Sequence, residues 1–162
     1  SSEITIPKDA LPLAGAEGPI PGLDPAKLKG LVFDDRNAKK EGKWTEGTGL
    51  KGFVGHAYIY ASAGSNSSVT WQFEAPNTGK FDLRISYLPH ENRSSRVKVL
   101  VNTRAGASPH SINMQKAAPL ENDFISLGTF SLTKGEAVSV VISTDGSDGN
   151  AHADALQVLP VE

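Results

Sequence analysis

The chain has 162 residues, 38% of them hydrophobic and 21% charged, with a formal net charge of -2 and no cysteine. That size and balance suit one globular domain with a real core, and they offer no phosphate-binding surface for nucleic acid. Without cysteine there is no disulfide, thiolate metal site or cysteine nucleophile, and no apolar run approaches the roughly 20 residues of a membrane helix.

Residues 1–29 read as a Pro/Gly-rich linker or extended arm. Pro7, Pro12, Pro19, Pro21 and Pro25 recur among Gly15, Gly18 and Gly22. Prolines at that density prevent a helix and interrupt a strand ladder. One short edge strand over Glu3–Ile6 is compatible with the pattern. The first residue is not Met, which reads as a processed form or a piece of a longer protein.

The folded domain is expected over 30–162. Leu31-Val32-Phe33 is a short apolar run closed by Asp34-Asp35. A polar, glycine-broken segment over 36–55 holds Trp44 and Phe53. Ala57–Ala61 places Tyr58 and Tyr60 on one face and Ile59 on the other. Then comes the clearest signal in the chain. Val69, Trp71 and Phe73 alternate with polar residues, and after Ala75-Pro76-Asn77-Thr78-Gly79 so do Phe81, Leu83, Ile85 and Tyr87. Period two on both sides of a turn predicts two antiparallel strands, each with one wet and one dry face. The dry faces need a second sheet to cover them.

Residues 88–95 read as a long polar loop. Val97, Val99 and Val101 resume the alternation, Ser111–Met114 is a candidate short strand, and Phe124–Leu132 is a further strand. Lys134-Gly135 is a turn into Glu136–Ser143, with Val138, Val140 and Ile142 inward. A Gly/Asp/Ser loop follows over 144–150, and Ala153–Leu159 closes the domain. No window carries helical spacing with a cap. Eight or nine short strands imply an all-β chain, an antiparallel β-sandwich of jelly-roll type.

The chemistry-bearing residues are sparse. His56, His90, His110 and His152 stand at no ligand spacing and read as surface or loop histidines. Asp34-Asp35 ends the first strand and Asp154 opens the last. Such strands are often neighbours, so these carboxylates are candidate ligands for a structural hard cation such as calcium. The competing reading is a carboxylate that accepts backbone N–H at a strand end. Asp145–Asn150 lacks the order of a calcium loop and reads as a turn. Ser62, Ser65, Ser67 and Ser68 lack a G-x-S-x-G context. Glu74, Glu91, Glu121 and Asp123 give no facing carboxylate pair, so the isolated domain is read as no enzyme.

For ligand binding, Trp44 sits in a glycine-rich polar loop without an evident core role. Tyr58, Tyr60 and Tyr87 are strand residues that suit core or ligand. His90, Asn92, Arg93 and Arg96 crowd one loop, and Arg93 or Arg96 can take an anionic group bidentately. Asn66-Ser67-Ser68 and Asn92-Arg93-Ser94 match the N-glycosylation pattern, which has meaning only in a eukaryotic secretory setting.

Several stretches together resemble the golvesin-like domain, also described as xanthan-lyase carbohydrate-binding-like. They are Val32-Phe33-Asp34-Asp35, Gly42-Lys43-Trp44-Thr45, Gly55-His56-Ala57-Tyr58-Ile59-Tyr60, Val69-Thr70-Trp71-Gln72-Phe73, Thr78-Gly79-Lys80-Phe81, Asn92-Arg93, Leu127-Gly128-Thr129-Phe130 and Ala153-Asp154-Ala155. The resemblance runs from about Gly30 to Leu159. It implies a β-sandwich appendage of a larger secreted or surface bacterial protein, extracytoplasmic, with a carbohydrate-binding role. The chain departs from the family pattern where a tryptophan is expected before Leu127-Gly128.

The leading expectation is therefore a non-catalytic carbohydrate-binding module, with an acidic polysaccharide as ligand and the other domains of its parent protein as neighbours. Trp44, Tyr58 and Tyr60 would stack on sugar, and His90, Asn92, Arg93 and Arg96 would bind hydroxyl or anionic groups. On this reading Arg93 and Arg96 could both become alanine without loss of thermal stability. The rivals are a structural or protein-interaction sandwich beside an enzyme or electron-transfer partner, and a small hydrolase or lyase.

Overall fold

A computed structural model describes residues 20–161. The edge strand expected at Glu3–Ile6 lies outside them, as does most of the arm. Twelve strands are assigned among the described residues: β1 Leu31–Asp34, β2 Lys39–Glu41, β3 Thr45–Gly47, β4 Tyr58–Ala61, β5 Ser68–Glu74, β6 Gly79–Ser86, β7 Val97–Thr103, β8 Gly106–Ile112, β9 Phe124–Leu132, β10 Ala137–Ser143, β11 Ala151–Ala153 and β12 Ala155–Val161. They form a four-stranded sheet of order β1-β12-β6-β9, a five-stranded sheet β2-β5-β10-β7-β8, and a small sheet β11-β4-β3. Every strand pairing is antiparallel.

The two large sheets share one core, as their alternating patterns require. Phe81, Leu83, Ile85, Leu156 and Val158 of the four-stranded sheet pack with Val69, Trp71, Val99, Val101, Val138 and Val140 of the other. Phe33 stacks on Phe73 across the gap, with ring centroids 5.9 Å apart. Trp71 donates from Nε1 to the Asp34 carbonyl at 2.9 Å, which ties β5 to β1 and satisfies the one polar atom of the largest core side chain. The β-sandwich of jelly-roll type is as the alternation predicts.

The sequence reading differs from the structure in the short elements. β2, β3 and β11 each have three residues, too few for a period-two signal; β2 extends the five-stranded sheet, and β3 and β11 with β4 add a sheet that the alternation does not announce. The strand expected at Ser111–Met114 is instead β8, Gly106–Ile112. Pro109 lies inside it, which is tolerated because β8 is the edge of its sheet. Three short 3-10 turns, at Pro25–Lys27, Asp35–Asn37 and Glu121–Asp123, are the helical elements among the described residues.

The described end of the arm lies against the sandwich. Gly22 and Leu23 donate backbone hydrogen bonds to Gly55 and Phe53, and Gly55 donates back to Leu23. Leu23 and Leu28 pack on Val32, Val54, Phe124 and Ala155, covering part of the four-stranded sheet's outer face. Gln157 Nε2 reaches the Lys29 carbonyl at 2.9 Å.

Candidate functional site

The residues singled out for chemistry fall into two groups at different places. One is aromatic and basic. β4 carries Tyr58 and Tyr60, and β11 pairs beside it with His152 opposite Tyr60. Tyr58 stacks on the His152 ring at 4.7 Å and meets Phe53 edge-on at 5.9 Å. Phe53, Tyr58 and Leu88 are buried as a small separate cluster, with Tyr60 half-buried against it. The Arg93 guanidinium lies over the Tyr60 ring, 6.0 Å from its centroid.

The loop 88–96 is held in place by its own backbone and by its neighbour. Arg93 N donates to the His90 carbonyl, Asn150 N to that of Asn92, and Ser94 N to that of Asn150. Asp148 accepts from Ser94 Oγ and Ser95 N, both at 2.8 Å, and from Ser95 Oγ. These donors hold its carboxyl down at about 2, with Arg96 adding a smaller attraction. So the Asp145–Asn150 segment acts as a clamp on the 88–96 loop. Gly149 is required there, since a Cβ would meet the Arg93 carbonyl at 2.8 Å.

The structure brings Tyr58, Tyr60, Asn92 and Arg93 together, with His90 at the turn before them. Asn92 Oδ1 accepts from Arg93 Nη1 at 2.6 Å, and Asn92 N donates to His90 Nδ1 at 3.1 Å. His90 and Asn92 are exposed and Tyr60 is half-exposed, whereas Tyr58 and Arg93 are buried. Arg96 stands apart from them. It is exposed and turned to the 145–148 segment, where its Nε donates to the Gly146 carbonyl at 2.9 Å.

Trp44 does have a core role. It is half-buried against the main core, and its Nε1 is shared between the carbonyls of Glu41 at 3.1 Å and Ser68 at 3.0 Å. Trp44→Phe should keep the packing and lose that donor, leaving both carbonyls short. The expected cost is about 1 kcal/mol in denaturant unfolding. An unchanged midpoint would show that the indole N–H contributes nothing.

His152 is the residue that the sequence reading misplaced. It is not a surface or loop histidine but fully buried. Its Nδ1 accepts from Leu88 N at 3.3 Å, so the proton sits on Nε2. Burial, with a smaller push from Arg93, drives its pKa well below the ordinary value, and the ring stays neutral. The alternation Ala151-His152-Ala153 was the available signal, but a small strand buried on both sides shows no wet face.

The second group is acidic. β1 pairs with β12 so that Asp34 stands opposite Ala155, and Asp34, Asp35 and Asp154 come together as neighbours. All three are buried. Asp34 Oδ1 accepts from Arg36 N at 2.8 Å and Asp154 Oδ2 from Val54 N at 2.8 Å. Asp35 Oδ1 and Asp154 Oδ1 have no partner among the described residues. Gly55, at φ +75°, packs its Cα side against the Asp34 carboxylate, where no side chain would fit.

Burial raises all three carboxyls, and their mutual repulsion adds to it for Asp35 and Asp154; Asp35 is pushed up to about 7. Among the described residues no group of three or more His, Cys, Asp or Glu side chains is arranged to hold a metal ion. The carboxylates expected as calcium ligands are adjacent, and Asp34 and Asp154 each accept a backbone N–H at a strand end.

Comparison with known proteins now places the fold. No curated protein matches the sequence. Among solved structures, a Paenibacillus xanthan lyase matches with a TM-score of 0.73 and 26% identity, over 81% of this chain and 13% of the lyase. The chain therefore spans about an eighth of that enzyme's length. A family 35 carbohydrate-binding module from Clostridium thermocellum matches at TM-score 0.56 and 16% identity, over 81% of this chain and 98% of the module. The Podospora anserina GH26-CBM35 β-(1,4)-mannanase matches at 0.59 and 18%, over 82% of this chain and 28% of the enzyme. The last two likenesses are of fold. The family model of the Golvesin C-terminal domain matches residues 31–159, and the chain belongs to that family.

Proposed function

We propose that the chain is a non-catalytic carbohydrate-binding module of a larger secreted or surface bacterial protein, and that it takes an acidic polysaccharide at the Tyr60–Arg93 end. The observation that carries this reading is the stack of Arg93 on Tyr60, with Asn92 and His90 exposed beside it. A ring face suits the C–H face of a sugar, and an amide and an imidazole beside it suit hydroxyls. The buried cation adds positive potential beneath the contact without itself being the contact. The likeness to part of a xanthan lyase supports a role beside a polysaccharide-active enzyme. The buried acids also fit a non-catalytic module, since Asp34, Asp35 and Asp154 are each 1% exposed and out of a substrate's reach.

Tyr60→Ala tests the contact. Tyr60 is half-exposed but packs on the Phe53–Tyr58–Leu88 cluster and over Arg93, so its loss should lower the melting temperature by about a few degrees and leave the domain folded at the temperature of the binding assay. Affinity for a uronic-acid or sulfated polymer should fall about tenfold or more by calorimetry. Unchanged affinity would remove Tyr60 from the site.

A structural or protein-docking sandwich is the rival reading. The sequestered Trp44 N–H and the buried Arg93 favour it, because two of the residues expected to meet a sugar serve the fold. It predicts no saturable glycan binding.

A further inference from the structure

A concave surface lies away from the Tyr60–Arg93 end. It is a cleft of about 710 Å³, lined by parts of β5, β10 and the end of β7 and, from the other large sheet, by Leu31 and Phe33. Its polar side, on the outer face of the five-stranded sheet, follows from strand register. Ser139 of β10 stands opposite both Gln72 of β5 and Asn102 of β7, so the three side chains form one row across the outer face. The next row, set by the same pairings, places half-buried Val141 and Leu100 side by side. An amide row therefore borders an apolar strip.

The hydrogen-bonding capacity of the row is largely unspent. Asn102 Nδ2 donates to Ser139 Oγ at 3.0 Å. The Gln72 amide is exposed and finds no partner among the described residues. Each amide offers two donors and an acceptor with two lone pairs. Vicinal sugar hydroxyls, each both donor and acceptor, match that set, and sugar C–H faces suit the Val141–Leu100 strip.

Charge points to the same class of ligand. The cleft is lined by one carboxylate, Glu74, and one guanidinium, Arg104, so its formal charges cancel. An anionic chain gains nothing there over a neutral one. A protein partner is disfavoured because such interfaces are anchored by exposed aromatic or large apolar groups. The exposed large hydrophobics among the described residues are Ile20 and Val161, and neither belongs to this sheet.

We propose that the outer face of the five-stranded sheet is a second binding surface, which takes an uncharged, hydroxyl-rich stretch of a polysaccharide chain through Gln72 and Asn102. The proposal rests on the carbohydrate-binding reading above and adds to it a neutral subsite. The two subsites should respond differently to salt. Binding at the basic end should weaken with ionic strength, whereas binding on the sheet face should not.

The test is an NMR titration of the domain with cellohexaose, mannohexaose and β-1,3-galactohexaose. One of them should shift the Gln72 and Asn102 side-chain amide signals, equally in 0.05 M and 0.5 M NaCl and equally in Tyr60→Ala. Gln72→Ala/Asn102→Ala should raise its Kd at least tenfold while the remaining spectrum stays native. No shift of these signals with any of the three overturns the proposal. If an acidic polymer still perturbs Tyr60 in that case, the neutral subsite alone falls. If no glycan perturbs either face, the parent reading falls with it.

Discussion

Arg93→Ala should unfold markedly earlier than the parent protein, by about 2–4 kcal/mol, whereas Arg96→Ala should stay within about 0.5 kcal/mol of it. The two arginines are three positions apart and look alike in sequence. The Arg93 side chain is buried, at 4% exposure for the residue, and donates from Nε to the Leu88 carbonyl at 3.2 Å and from Nη1 to Asn92 at 2.6 Å. Its backbone is bridged to Asn150, and its carbonyl accepts from Gln115 Nε2 at 3.0 Å. Truncation leaves the Leu88 carbonyl buried without that donor and opens a cavity under Tyr60. Arg96, with its side chain 62% exposed, can give up its bond to Gly146 to water. Arg93→Lys should fall between, because an ammonium keeps the charge but not the planar fork. Paired urea melts of the alanine variants decide the matter. Equal, small effects would mean that the 88–96 loop does not depend on the guanidinium, and would restore the expectation that both arginines are free for ligand.

Asp35→Asn should stabilise the domain at pH 8, by about 2 kcal/mol or more, and the gain should vanish by pH 4. Asp35 is 1% exposed and is held at about 7 in the fold against an ordinary 3.8. Burial is the main cause and the Asp34 charge the next, while Lys40, with Nζ 3.9 Å away, relieves only part of it. Between pH 4 and 7 the folded chain keeps a proton on Asp35 that the unfolded chain has lost. Stability from this group therefore falls as pH rises through that window, and above it the fold carries a buried charge. The amide removes that cost. Asp34, Asp123 and Asp154 push the same way, whereas the buried His152 and the half-buried His110 push the other way below about 6.5. The variant difference, rather than the parent's own pH curve, is thus the clean readout. A destabilised Asp35→Asn, together with a fall in the parent's melting temperature in EDTA, would instead reveal a cation that needs the carboxylates.

What was legible in the sequence follows from length and alternation. Val69, Trp71 and Phe73 announce β5 because seven residues are enough to show which face is dry. The convergence of Asp34 with Asp154 was legible too, because the first and last strands of a sandwich are natural neighbours. The three-residue strands β3 and β11 show no period, so the small sheet that seats Tyr58 and His152 could not be read. The functions of Arg93 and Trp44 were hidden for a different reason. A polar loop in sequence looks solvated, and only the tertiary fold reveals that Leu88 and Tyr60 enclose one guanidinium or that Ser68 stands ready to accept an indole proton. Asp148 was hidden likewise, since its donors Ser94 and Ser95 lie more than fifty residues away.

The most direct test of the central reading is a glycan array, probed with the purified domain and its Tyr60→Ala variant and including sulfated and uronic-acid polymers. Saturable binding to one class of acidic glycan, lost in the variant, is the predicted result. Saturable binding to no glycan at all would contradict it, and would leave the domain as a structural or protein-docking sandwich.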